Sequence, residues 1–231
     1  MIVRRLTAVG GMVVIVWAVS AGAASAAVER TGTRADAAIA KAGLVKKSDF
    51  PAGWDETPAS SSSATPNFGT APSCARLQAA VDKTARLQRA TARSSQFRQD
   101  DSVGLGDGVT VYRRGADAGA ALGVWKRSDV GACLTKAAGA SVQKLPGSTY
   151  SWSVGEFSVP PVGDDSTGYQ LVETASSQQG QSGTVTVDTQ VVRVGRAELI
   201  FYFIGDASAA LDNQAVVQNA VNRVRTAEAS A

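Results

Sequence analysis

Residues 184–205, TVTVDTQVVRVGRAELIFYFIG, decide the fold. Two strand-like runs meet at Gly195-Arg196, a two-residue connection that suits a type II′ β-hairpin. The second run is apolar on both of its alternating faces, so it belongs in the middle of a sheet covered on both sides. Its longest apolar stretch, Leu199 to Ile204, has the length of a strand and falls far short of a membrane span. Downstream, Leu211, Val217, Ala220 or Val221, and Val224 recur at helical spacing. They predict a C-terminal amphipathic helix that packs on the sheet.

Moving upstream, YSWSVGEFSV alternates, Tyr169 to Thr174 is a further strand, and QQGQSG is a turn. Before them, GADAGAALGVWKRSDVGACLTKAAG returns to helical period, with Ala118, Leu122, Trp125, Cys133, Leu134 and Ala137 on the apolar side. Gly123 and Gly131 weaken that helix, so a break near Ser128-Asp129 is expected, with Asp129 capping the second half. SSQFRQ and GVTVYRR read as strands joined by the Gly/Asp segment DDSVGLGDG. A helix from Pro72 places Cys74, Leu77, Val81 and Leu87 on one face.

Residues 34–45 predict a first short helix, stopped by KKSDFPAGW, where Pro51 and Gly53 break it. Residues 55–71, rich in Ser, Thr and Pro, read as a long exposed loop. The order αα-ββ-α-ββββ-α, with hairpins in place of crossovers, gives an α+β fold. It has an antiparallel sheet of about 5–6 strands with helices on one or both faces. No internal repeat is present, and residues 28–231 form one domain.

The first 27 residues read as an export signal. Arg4-Arg5 form the positive end, Val9 to Val19 the apolar core, and Ala24-Ser25-Ala26 the cleavage signature, with cleavage near Ala26. Retention as an anchor is the alternative. The twin arginine lacks Tat flanks, and no cysteine supplies a lipobox. All 20 acidic residues but only 21 of the 23 basic ones follow residue 27, so the remainder carries about +1. No dense Lys/Arg run exists, which excludes nucleic acid as a partner. No stable membrane span is expected after residue 28.

Cys74 and Cys133, an even count in an exported chain, read as a disulfide. The chain has no histidine. That removes Ser-His-Asp and Cys-His catalysis, His-based zinc sites and the commonest general base. Ser141 and Lys144 fit S-x-x-K but lack its companion elements. Gly104 to Gly108 precede a strand, so they read as a hairpin turn and not as a phosphate loop. Asp100-Asp101 and Asp164-Asp165 lack calcium-loop spacing and read as turn carboxylates. No metal and no cofactor are expected.

The remaining binding candidates are aromatic. Trp125 belongs to the apolar helix face with Leu122. Tyr150 and Trp152 share a strand face that could line a groove or pack across strands. Phe50 and Trp54 flank the Pro-Ala-Gly corner, Phe50 as a core plug and Trp54 as an anchor or, less favoured, a ligand contact.

The words DFPAGW, a Cys at a helix start, SSQFRQ…VTVYRRGADAGAAL…C and VDTQVVRVGRAELIFYFIG occur in order across residues 34–226. In this the chain resembles actinobacterial extracellular sensor-like domains typified by the ectodomain of the mycobacterial kinase PknH. It also resembles LpqN-type secreted lipoproteins with a PsbP-like fold. The resemblance implies a non-enzymatic binding or sensing module and places Cys74 and Cys133 at disulfide positions. The chain departs from it in having one cysteine pair, no kinase domain and no lipobox.

The resulting expectation is a secreted, non-catalytic binding domain at the cell envelope. Its partner would be a small molecule, lipid or glycan met by Trp152, Tyr150 and Trp54, or an envelope protein. Alternatives are a structural or protein-interaction module and a hydrolase that works without histidine.

Overall fold

The structure, a computed structural model, describes residues 32–58, 68, 71–99, 103–141, 148–177, 182–205 and 213–231. The export stretch, Leu211 and Lys144 lie outside them, as do Asp100 and Asp101. The deciding stretch forms the central hairpin. β7 (Ser182–Val194) and β8 (Ala197–Gly205) pair antiparallel from Val194↔Ala197 to Thr186↔Gly205. Gly195 has φ +53°, the left-handed conformation that a primed two-residue turn requires. A Cβ there would run into the Glu228 carboxylate, which accepts the Arg196 N–H at 3.0 Å. The turn is thus fixed by both its own geometry and the C-terminal helix.

β8 is central, as expected, flanked by β7 and by β4 (Val103–Tyr112). All pairs are antiparallel, in the order β1-β3-β4-β8-β7-β6-β5, with β2 also on β4. The remaining strands are β1 (Trp54–Thr57), β2 (Gln88–Arg93), β3 (Gln96–Gln99), β5 (Ser148–Glu156) and β6 (Asp165–Ser177).

The sheet has eight strands, not the expected 5–6. The two unforeseen ones, WDET and QRATAR, are short and polar. Both are made by pairing with β3 and β4, and not by their own side-chain pattern. The helix expected to carry Leu87 on its apolar face ends at Ala85, and Leu87 lies in the turn before QRATAR. VGLGDG, expected in a turn, lies inside β4. There Leu105, Val109 and Val111 are buried on one side, while Gly104, Gly106 and Gly108 face the other. Ladder bonds to β8 override the low strand preference of glycine.

Among the described residues, five α-helices cover the sheet: α1 (Arg34–Ala42), α2 (Ala75–Ala85), α3 (Gly115–Trp125), α4 (Val130–Ser141) and α5 (Gln214–Ala229). Ile39 and Ala40 of α1 and Val216, Val217, Ala220, Val221 and Val224 of α5 share one core with Leu199, Phe201 and Phe203. Leu77, Val81, Leu122, Trp125, Val130 and Cys133 build the second core on the opposite face, over Val191 and Ile200. Both faces of β8 are therefore dry, as its sequence demands.

α1 opens with a capping box between Thr33 and Asp36. The Asp36 carboxylate also pairs with Arg196 of the β7–β8 turn. The α3–α4 break falls at 126–129 as expected. Asp129 stands before α4, but its carboxylate is engaged by Arg127 at 2.8 Å. Phe68, inside the stretch expected to be an exposed loop, is fully buried against Trp125 with ring centroids 5.7 Å apart. Among the described residues, no helix is long and apolar enough to cross a membrane.

Cys74 and Cys133 form a disulfide with Cα atoms 5.7 Å apart, joining α4 to the short helical turn Pro72–Cys74 before α2. The two cysteines are 59 positions apart, and closing a loop of that length removes denatured-state entropy worth about 4 kcal/mol. Replacing both cysteines by alanine is expected to lower the unfolding free energy by about that amount in urea denaturation. A loss under about 1 kcal/mol would show that the packed second core alone holds α2 and α4.

Candidate functional site

β5 alternates by burial. Thr149, Ser151 and Ser153 are exposed, and Tyr150, Trp152 and Val154 are half-buried beneath α4. Two glycines bring α4 close: a Cβ on Gly139 would lie 3.6 Å from the Trp152 ring, and one on Gly131 3.8 Å from the Val154 carbonyl. The Tyr150 and Trp152 rings are nearly parallel, 10° between planes and 6.1 Å between centroids.

Directly across the ladder from Trp152 is Glu173 of β6, only 3% exposed. Here two polar atoms stand out. The Trp152 Nε1 and the Glu173 Oε1 are buried, and neither has a hydrogen-bond partner among the described residues. Burial pushes the Glu173 carboxyl above its ordinary range, and the neighbouring indole opposes the rise. The two approach each other without reaching hydrogen-bond geometry, so a donor and an acceptor remain available side by side. Unpaired buried groups of this kind cost about 1–3 kcal/mol each. A ligand group that both accepts and donates would recover that cost.

The structure brings Tyr150 and Trp152 together but not Trp54. Trp54 is 5% exposed in the other core, stacked on Phe50 at 4.3 Å, with Phe50 on Phe97 at 4.9 Å. The corner is locked from beneath. Arg223 of α5 grips both oxygens of Asp49 at 2.8 Å and donates to the carbonyls of Ala42 (2.9 Å) and Leu44 (2.8 Å). Beside it the buried Asp107 of β4 accepts the Val45 N–H at 3.1 Å, while its Oδ2 has no partner among the described residues.

Sequence reasoning missed Glu173, Asp107, Glu198, Asp49 and Arg223. Glu173 had a readable signal, since Leu171, Glu173 and Ala175 alternate toward one face. Asp107 was hidden in GLGDG, which looks like a turn. Asp164 accepts the Gly195 N–H at 2.7 Å and pairs with Arg193, and Asp165 pairs with Lys126 at 2.6 Å. Those turn carboxylates are therefore taken up by cations of the fold. Among the described residues, no group of three or more His, Cys, Asp or Glu could hold a metal ion.

No family model matches the chain, and no curated protein matches it. Among solved structures, the chain is similar to the extracellular domain of PknH from Mycobacterium tuberculosis, with a TM-score of 0.49 and 12% identity. The match covers 81% of this chain and 95% of that one. A likeness at that level transfers no residue and no activity.

Proposed function

We propose that this chain is an exported, non-catalytic binding module of the cell envelope, with its ligand site at Trp152, Glu173 and Tyr150. The observation that carries the reading is the buried indole N–H and carboxyl oxygen, side by side and unpartnered, next to two parallel rings. Such a pair recognises a neutral group with both donor and acceptor character, such as a hydroxyl or amide on a small molecule, lipid or glycan. The rings supply apolar stacking area. A relation to LpqN-type lipoproteins and the PsbP-like fold belongs to the same proposal.

Three features favour binding over catalysis. The chain has no histidine, and both cysteines are bonded to each other. Glu173 is the one carboxyl at this position among the described residues, whereas carboxylate-based hydrolysis needs a facing pair. The disulfide and the N-terminal signal pattern favour an oxidising location outside the cytoplasm.

The test is intrinsic fluorescence titrated with neutral oligosaccharides, short-chain glycolipids and N-acetylated peptides. A change in the Trp152 emission is expected with at least one class. It should be absent in Trp152→Phe and at least 5-fold weaker in affinity in Glu173→Leu, which removes the acceptor without introducing a charge. A flat response across the set, or a response unchanged in both variants, would overturn the site.

A further inference from the structure

We propose that β5 is a dimerisation strand, pairing antiparallel with β5 of a second copy of this chain to give one continuous sheet across a two-fold axis. The two ends of the strand order differ in how they are guarded, with β2 lying off that order on β4. β1, at one end, is four residues long and carries the exposed Asp55 and Glu56. Short length and charge are the devices by which edge strands resist pairing. β5, at the other end, is nine residues long. It has no charge from Ser148 to Gly155, no proline, and an unbroken register against β6 from Ser148↔Ser177 to Glu156↔Tyr169.

The direction of its backbone groups follows from one bond. Phe157 donates its N–H to the Gly168 carbonyl in the same register. Along an antiparallel strand, bonding toward a given neighbour occurs at every second residue. Residues 149, 151, 153 and 155 therefore bond to β6, and Trp152 and Val154 point their N–H and C=O groups outward. Among the described residues, no backbone group from outside the sheet pairs with those of Trp152 and Val154.

The outward backbone groups of Trp152 and Val154 call for another extended strand, and the chemistry of β5 favours its own copy. With Ser153 opposite Ser153 of that copy, Trp152 and Val154 pair with each other reciprocally and exchange four backbone bonds. Larger side chains stay on the face under α4, and small exposed ones stay on the other. Glu156 then falls opposite Tyr150, so no like charges meet. Such an interface is isologous and closes on itself. Among the described residues, the outer strands that remain are β1, guarded by its length and charge, and the six-residue β2, which pairs with β4 alone. The β5–β5 contact itself is self-paired, so that interface closes at a dimer.

Sedimentation equilibrium of the purified protein from about 1 to 200 μM tests the pairing. The wild type is expected to shift from monomer to dimer in that range. Ser153 is exposed, so Ser153→Lys and Ser153→Glu should keep the wild-type melting temperature. Each should weaken dimerisation at least 10-fold, because like charges directly across a ladder repel. An equimolar mixture of the two variants should restore the dimer. A wild type that stays monomeric at 200 μM, a dimer indifferent to both variants, or a mixture that fails to recover would each overturn the proposal. A monomer that instead captures extended peptides would assign the edge to a different partner.

Discussion

Replacing Arg223 by methionine is expected to lower the unfolding free energy by about 3–5 kcal/mol, the usual cost of removing one member of a buried ion pair. Methionine keeps most of the apolar stem, so the loss reports on the guanidinium. That group uses its planar fork on both oxygens of Asp49 and spends further donors on the carbonyls of Ala42 and Leu44. Without it, the Asp49 carboxylate, whose side chain is 7% exposed, loses its ion-pair partner and keeps the Lys46 N–H at 2.9 Å. Two carbonyls at the exit of α1 lose their donor as well. Lysine cannot substitute, because an ammonium does not reproduce the fork.

The double variant Arg223→Met/Asp49→Leu should recover a large part of the loss, since replacing both partners with apolar groups is often close to neutral. A double-mutant cycle by chemical denaturation measures the coupling. A single-variant cost under 1 kcal/mol would show that ring stacking of Phe50 and Trp54, and not the arginine, holds the corner.

This cluster also shows why the chain was only partly legible. The corner KKSDFPAGW announced itself through Pro51 and Gly53, which end a helix by local stereochemistry. Its lock is Arg223, 174 positions away from Asp49, and no local pattern connects the two. The β7–β8 hairpin was legible for the opposite reason. Its turn residue, its length and its apolar content all act over a few neighbouring positions. β1 and β2 were invisible because polar strands at a rim owe their conformation to the strand beside them. In the same way, the helix face carrying Trp125 was readable as core from period alone.

The site divides along the same line. Alternation in SxYSWS alone places Tyr150 and Trp152 on one face. Trp54 was grouped with them by residue type, and the fold put it in the opposite core. Glu173 became notable only when α4, through Gly139 and Gly131, came close enough to dry the strand beneath it. Whether a glutamate in a strand is a solvated charge or a buried, unpaired carboxyl depends on the layer above it. Strand period says which face it occupies and nothing about what covers that face.

The same buried carboxyls predict that stability rises as the solution is acidified from pH 8 to about pH 5. Burial pushes the Asp107 carboxyl up to about 7, with Ser94, Val45 and Arg223 opposing. Burial likewise pushes Glu198 up to about 8, opposed by the Tyr112 hydroxyl that donates to it at 3.4 Å. An unfolded chain returns both to the ordinary range near 4. Between about pH 4 and pH 8 the folded state thus holds protons that the unfolded state has released. By linkage, stability must then fall as pH rises, fully present below the unfolded value and lost through the folded one. For each group the change is on the order of a few kcal/mol. Asp36, Asp129 and Asp165 act in the opposite sense. The net shift of each is downward: Asp36 through Thr33 and Arg196 against the pull of burial, Asp129 through Arg127, and Asp165 through Lys126. Their contribution is present above about pH 4 and is lost as pH falls through their lowered values, which sets the acid limit of the window. Urea denaturation at pH 5, 6.5 and 8 should give a decreasing series. Asp107→Asn and Glu198→Gln, which keep an acceptor for Val45 and for Tyr112, should each flatten it and raise stability at pH 8. A wild-type stability that rises from pH 5 to pH 8 would mean that water or a cation reaches these carboxyls in the folded state.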